Sequence, residues 1–411
     1  MAGDRITEKW EYKTDIITSY DGHEQRIKTR QYPRHYVSYD YPAMNCFEAQ
    51  WLRGLGRLRQ SDTYYIPMWH NVTRLAEDFP GMGKSLYINK EHMYSFDDVE
   101  WIEIFVKDDP NQFGVNMVLR VENYFDQIIG LKKVLTKPLY KENTWIYPLK
   151  RCSIQPMNGF QYIYSNGASV THSFEDLLRR PVNLKIPDKW VADFEKYPLR
   201  NKWNLPEHYD NREVFVASPQ WLDDDSLSLS VDKAVTKMDN ETGQFLYDLK
   251  NEKSYDVHTM ELILMCKEAI NNMQRFFKRV SGMYKSFYAP TWANDIELLQ
   301  DIEAQNNYIY TKWSNISDFY LSNKRNKKLV IFTKDKHSYI LDILTYGYEM
   351  IDGVKVGKIM FTNPLGMNIP KSNVLMCSYF NLVRFDSDEL QLNYESDIVA
   401  NVSLVFREVD E

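Results

Sequence analysis

The stretch Asp78-Phe-Pro-Gly-Met-Gly83-Lys84-Ser85 comes nearest in this sequence to a phosphate-binding loop. Such a backbone cradle needs G-x-x-x-x-G-K-[S/T] between a strand and a helix, so that the phosphates meet a helix N-terminus. Asp78 stands where the first glycine belongs, and its charge repels phosphate. The following Leu86-Tyr-Ile-Asn89 reads as strand. A glycine turn between elements is the better reading.

The remaining chemistry-bearing residues are dispersed. The eight histidines include no H-x-x-x-H or H-E-x-x-H pair, so no metal site is visible in local spacing. Cys46, Cys152, Cys266 and Cys377 form no C-x-x-C, which excludes a disulfide framework or a sequence-local zinc site and predicts reduced thiols. No G-x-S-x-G elbow occurs. Asp223-Asp-Asp225 lacks the glycine and glutamate of a calcium loop and reads as a solvated turn. The basic run Lys324–Lys328 has no interleaved aromatics for base stacking and reads as a hairpin turn. The sequence therefore predicts a non-enzyme, with no catalytic residue, cofactor or metal assigned.

A different kind of motif does recur. Arg53-x-x-Gly56 is followed by Tyr65-Ile-Pro67-Met-Trp69 and Leu75, and Arg279-x-x-Gly282 by Tyr288-Ala-Pro290-Thr-Trp292 and Leu298. Upstream, Cys46-Phe-Glu-Ala49 echoes Cys266-Lys-Glu-Ala269. Downstream, Thr136-Lys-Pro-Leu139 echoes Thr362-Asn-Pro-Leu365. Four matches in one order at nearly one offset indicate an internal duplication. The Tyr and Trp of each motif could stack a sugar. Recurrence beside the R-x-x-G helix stop favours a fold-building role instead, with the proline at a strand edge and the tryptophan filling a core. Arg53 and Arg279 are candidate loop anchors.

The elements that must carry these motifs are mostly strands. Segments 101–106, 115–121, 329–333, 339–344, 358–362, 377–385 and 398–406 are short and rich in β-branched and aromatic residues. Asp352-Gly353 and Asn166-Gly167 supply turns. Apolar spacing of three and four over Thr259–Val280 predicts a helix ended by Ser281-Gly282, with a shorter helix expected around Asn45–Leu55. Helices without regular βαβ alternation give an α+β, predominantly β class. The expected architecture is two duplicated antiparallel β-sandwich domains, 1–178 and 226–411, each with one packed helix. Residues 179–225, rich in proline and tryptophan, are expected to form an extended connector along a domain surface. Cys46 and Cys266, at matching places on the helices, are expected in the core.

Composition narrows the function class. The chain has 411 residues, a net charge of −7 and 44% hydrophobic residues, which fits globular domains and opposes a surface that tracks nucleic acid throughout. No apolar run is long enough to span a membrane, and Met1–Trp10 lacks the apolar core of a secretory leader. The 29 tyrosines, 20 phenylalanines and 10 tryptophans suit large half-buried interfaces as well as cores.

At Gly22-His-Glu24-Gln-Arg26, Pro33-Arg34, Arg53-x-x-Gly56 and Pro67-Met-Trp69, the sequence resembles minor tail proteins of tailed bacteriophages, especially the distal-tail and baseplate-hub group. The second copy, from Phe276 through Pro290-Thr-Trp292 to Glu408, is similar to another stretch of such proteins. The resemblance implies a structural virion protein, assembled in the host cytoplasm into the tail tip. Its implied partners are further copies of itself, tube and tape-measure proteins and fibres, with DNA only passing through the lumen. A duplicated chain would build a pseudo-six-fold ring from three subunits, or six chains would stack their domains as two rings. The alternative is a carbohydrate-binding accessory protein of a virion or cell surface.

Overall fold

The computed structural model describes residues 5–19, 22–58, 62–89, 95–96, 99–107, 115–125, 127–155, 159–164, 167–177, 201–219, 227–239, 241, 243, 245–313 and 328–411. The chain is predominantly antiparallel β, with two α-helices among these residues.

The first copy opens with β1 (Ile6–Glu11), a hairpin of β2 (Thr14–Thr18) and β3 (Glu24–Lys28), and β4 (Arg34–Ala43). Helix α1 (Cys46–Leu58), β5 (Thr63–Pro67) and the short β6 (Thr73–Arg74) follow. Next come β7 (Gly83–Tyr87), β8 (Trp101–Val106), β9 (Val115–Phe125) and β10 (Ile128–Leu135). Strands β11 (Thr144–Ile154), β12 (Gly159–Tyr164) and β13 (Gly167–Asp176) complete it.

The short pair β14 (His208–Tyr209) and β15 (Arg212–Glu213) precedes the second copy. There a long hairpin of β16 (Leu227–Asp239) and β17 (Phe245–Leu264) leads into α2 (Lys267–Val280) and β18 (Phe287–Pro290). Strands β19 (Tyr308–Lys312), β20 (Lys328–Thr333), β21 (Ser338–Ile351) and β22 (Val354–Phe361) follow. Strands β23 (Val374–Phe385), β24 (Glu389–Tyr394) and β25 (Ala400–Glu408) close the chain.

The two copies share one topology. In the first, β5, β11, β13, β4 and β1 lie side by side in that order. In the second, β18, β23, β25, β17 and β16 do the same. Each copy adds a side lobe on this platform: β8, β9, β10 and β7 in the first, β20, β21, β22 and β19 in the second. Even isolated bridges repeat. Leu75 pairs with Ile88 and Leu298 with Thr311, while Phe79 pairs with Leu139 and Ile302 with Ile369. Each lobe has its own apolar core, around Ile102, Ile104 and Leu131 or around Ile309, Ile331 and Ile359.

The equivalence holds residue by residue. Ile6 pairs with Tyr39 and Leu227 with Met260. Tyr39 then pairs with His172, and Met260 with Leu404. On a half-buried sheet a slip of one residue turns every side chain to the wrong face, so a shared register means a shared inner face.

Several expectations are corrected. The second helix begins at Lys267, not Thr259, because Met260, Leu262 and Leu264 alternate as the end of β17 and pair with Leu404, Val402 and Ala400. Asn45 caps α1, its Oδ1 accepting from Glu48 N at 2.9 Å, and so corresponds to the cap Cys266. The helices are thus one residue out of step with the Cys-x-Glu-Ala match. Cys46 and Cys266 are exposed, and the buried thiols are Cys152 and Cys377. Arg53-x-x-Gly56 is no helix stop, because α1 continues to Leu58. The connector does not lie along a surface throughout 201–217: Trp203, Leu205 and Phe215 are buried in the core of the second copy, Phe215 against Phe276 and Phe406. Trp190, Trp221, Asp223–Asp225, Asn166 and Lys324–Lys327 lie outside the described residues.

Candidate functional site at the seam between the copies

Strand β1 belongs to the first copy by sequence, yet it lies between both. Along all six of its residues it pairs antiparallel with β4 on one side and with β24 of the second copy on the other. Ile6 accordingly packs into the cores of both copies. The seam is therefore continuous backbone hydrogen bonding rather than side-chain contact alone.

At its centre sits a buried charge. Glu8 is 2% exposed, and its carboxylate accepts from His35 Nε2 at 2.7 Å, Gln274 Nε2 at 2.8 Å and Tyr394 OH at 2.7 Å. These partners come from β4, α2 and β24. His70 Nε2, from the 3-10 turn Trp69–Asn71, lies 3.6 Å away. Burial alone pushes the Glu8 carboxyl up, but the His70 and His35 imidazoles outweigh it and hold Glu8 well below the usual carboxylate range. Around this centre, Lys150 Nζ reaches Asp176 at 3.2 Å, and Asp176 lies 3.5 Å from His35 Nδ1. Buried Lys267 donates to the carbonyls of His70 and Asp397, and desolvation lowers its ammonium to about 8.

Such a cluster resembles an acid–base site in composition, but Glu8, His35, His70 and Lys267 are all buried against protein. Its chemistry is fixation: removing either partner of a buried ion pair leaves an uncompensated charge.

The β2–β3 hairpin extends the seam as an arm over the second copy. Glu24 takes a bidentate ion pair from Arg384, both contacts at 2.9 Å. Lys28 Nζ donates to Ser281 Oγ at 2.9 Å, Arg26 to the Tyr284 carbonyl at 3.1 Å, and Tyr255 OH to the Gly22 carbonyl at 2.9 Å. Asp388 joins both copies again, accepting from Met283 N at 2.9 Å and Thr14 Oγ1 at 3.0 Å.

The Y-x-P-x-W residues occupy matching places with unequal burial, whereas the R-x-x-G residues do not match: Arg53 and Gly56 lie within α1, Arg279 in the last turn of α2 and Gly282 past its end. Pro67 pairs with Leu149 at the end of β5, and Pro290 with Phe380 at the end of β18. Trp292 is buried and stacks on Phe332 at 5.1 Å, with a left-handed φ of 57°. Trp69 is half-buried against Tyr147 at 5.0 Å. Tyr288 stacks on Phe380, whereas Tyr65 is exposed beside Trp101 at 5.6 Å. Arg279 grips Glu213 through two contacts of 2.7 and 2.9 Å, while Arg53 is exposed on α1. Gly282 has φ +65°, and a Cβ there would meet Asp388 Oδ1 at 2.5 Å.

Among the described residues, the side chains on the Glu8 carboxylate are His35, His70, Gln274 and Tyr394, which lie outside the repeated motif. The seam was hidden from sequence reasoning because residues 8, 35, 70, 274 and 394 have no common local spacing. Only Gly22-x-Glu24-x-Arg26, on the arm, was legible beforehand.

Segments 78–85 and 86–89 behave as the turn reading required: Gly81 and Met82 have positive φ, and Gly83–Tyr87 is β7. Among the described residues no group of three His, Cys, Asp or Glu is placed to hold a metal ion. No described helix is long and apolar enough to cross a membrane. Compared with known proteins, the chain matches no family model and no curated protein.

Proposed function

We propose that this chain is a structural protein of a phage tail tip, of the distal-tail or hub kind, assembling with itself into a ring. One observation carries the reading. Two copies of a single β-plus-helix unit are joined front to back, β1 of one against β24 of the other, by continuous strand pairing over a buried ion cluster. A front-to-back contact is heterologous, so repeating it closes a ring or extends a filament, and never gives an isologous pair. The copies sit side by side in one sheet, which favours three chains supplying six units to a single ring over two stacked rings. Tube, tape-measure and fibre proteins would then be its neighbours, with DNA passing through.

Light scattering together with averaged images of the assembled protein tests this. The expected result is a closed particle of three chains showing six similar lobes. A stable monomer of 48.9 kDa under assembly conditions contradicts it.

A second reading rests on Tyr65, exposed beside Trp101 with Arg120 over the latter ring at 5.8 Å. Such a surface suits sugar stacking. Glycan-array binding lost in Tyr65→Ala, with folding intact, would favour a carbohydrate-binding accessory protein.

A further inference from the structure

Each copy has a front strand, β1 or β16, and a back strand, β12 or β24. Inside the chain the front of the first copy is paired with the back of the second. Two edges remain. Among the described residues β16 pairs only with β17, and β12 only with β13.

We infer that these edges pair with each other between chains, β16 of one chain adding to β12 of the next in the register that β1 adopts on β24. The inference rests on the ring reading above and identifies the contact that would close it.

The register follows from the equivalences. Ile6 opposite Tyr39 matches Leu227 opposite Met260. Tyr394 opposite Ala400 matches Tyr162 opposite Ala168. Within the chain Ile6, Thr7, Glu8 and Lys9 face Tyr394, Asn393, Leu392 and Gln391. Between chains, Leu227, Ser228, Leu229 and Ser230 would face Tyr162, Gln161, Phe160 and Gly159.

The chemistry of both edges fits. Leu227, Leu229 and Val231 alternate with small polar residues, and this stretch carries no charge or proline of the kind that protects an open edge. Leu229 is 59% exposed and Tyr162 57%, whereas their seam counterparts Glu8 and Tyr394 are 2% and 5%. Thr7 Oγ1 donates to Asn393 Oδ1 at 3.2 Å across the internal seam, and Ser228 with Gln161 preserves that hydroxyl–amide pair. Leu229 replaces Glu8, so the external contact would be apolar where the internal one is ionic.

Two neighbouring features point the same way. Helix α2 is covered by the end of β1 and the corner after it, with Lys278 over Trp10 and Tyr12 5.7 Å from Phe277. The equivalent α1 leaves Phe47 and Trp51 exposed. It borders β12, since Phe160 packs on the cluster containing Ala49 and Leu52. In chain order the arm β2–β3 lies between β1 and β4, and the outer part of the β16–β17 hairpin is inserted at the matching place. Phe245, Leu246 and Tyr247 are exposed there, suited to lie on the next chain as the arm lies on the second copy.

The test uses the full chain with the exposed Cys46 and Cys266 changed to serine. A Ser228→Cys/Gln161→Cys variant, treated with a short bis-maleimide reagent, should give covalent closed oligomers of the same mass as the native particle. Neither single variant should give them. Leu229→Lys should convert the assembly to monomer with an unchanged circular dichroism spectrum. A particle that assembles while the double variant remains uncrosslinked overturns this pairing and leaves the ring reading standing. A chain that stays monomeric overturns both.

Discussion

Tyr394, in the second copy, donates its hydroxyl at 2.7 Å to the carboxylate of Glu8, in the first. The bond crosses the seam between strands that pair along their whole shared length. Hydrogen bonds to a charged group are worth about 1.5–3 kcal/mol. Tyr394→Phe should therefore lower unfolding free energy by about that amount in denaturant titrations, with the strand content retained. A change below ~0.5 kcal/mol would mean that the bond contributes little.

Acid should weaken the seam through the same carboxylate. Glu8 is held below its unfolded value, so its contribution is present above pH ~4.3 and is lost as pH falls through the folded value. In Glu8→Gln the acid limb of a stability–pH curve should be flatter than in the wild type. Parallel acid limbs in the two proteins would contradict the assignment.

Lys267 works in the opposite range. Its folded value of about 8 lies under the unfolded ~10.4, so between these pH values the unfolded chain binds the extra proton and stability rises with pH. The rise attributable to Lys267 is on the order of 3 kcal/mol. Lys267→Met should lack it, which paired thermal melts at pH 7.5 and pH 10 would reveal.

The duplicated motif should not be energetically symmetric. Trp292→Ala empties a fully buried site and should cost about 3–5 kcal/mol, against a smaller loss for half-buried Trp69→Ala. Gly282→Ala forces a left-handed residue and a clash with Asp388, and should destabilise. Gly54→Ala, in α1 with nothing near the added carbon, should stabilise by about 0.5–1 kcal/mol. Equal effects at Gly54 and Gly282 would contradict the structure.

The repeat was legible because Y-x-P-x-W ties a proline to a strand end and a tryptophan to a core, and those constraints act within five residues. Asp352-Gly353 was legible for a similar reason, since both residues need positive φ in the β21–β22 turn. What escaped was long-range. The hydrophobic spacing over 259–264 fits a helix or a strand equally well, and only its pairing with β25 decides. The β16–β17 hairpin carries Asp232, Lys233, Lys237 and Asp239, and its polar character hid thirteen residues of strand. Glu8 gave no signal because a buried carboxylate needs partners from four distant segments, and sequence order does not show which segments meet.

The most direct test of the account is the mass and symmetry of the assembled protein, from light scattering and averaged images of one sample. The proposed tail-tip ring predicts a closed particle of three chains with six similar lobes. A two-fold dimer, or a 48.9 kDa monomer under assembly conditions, would contradict it.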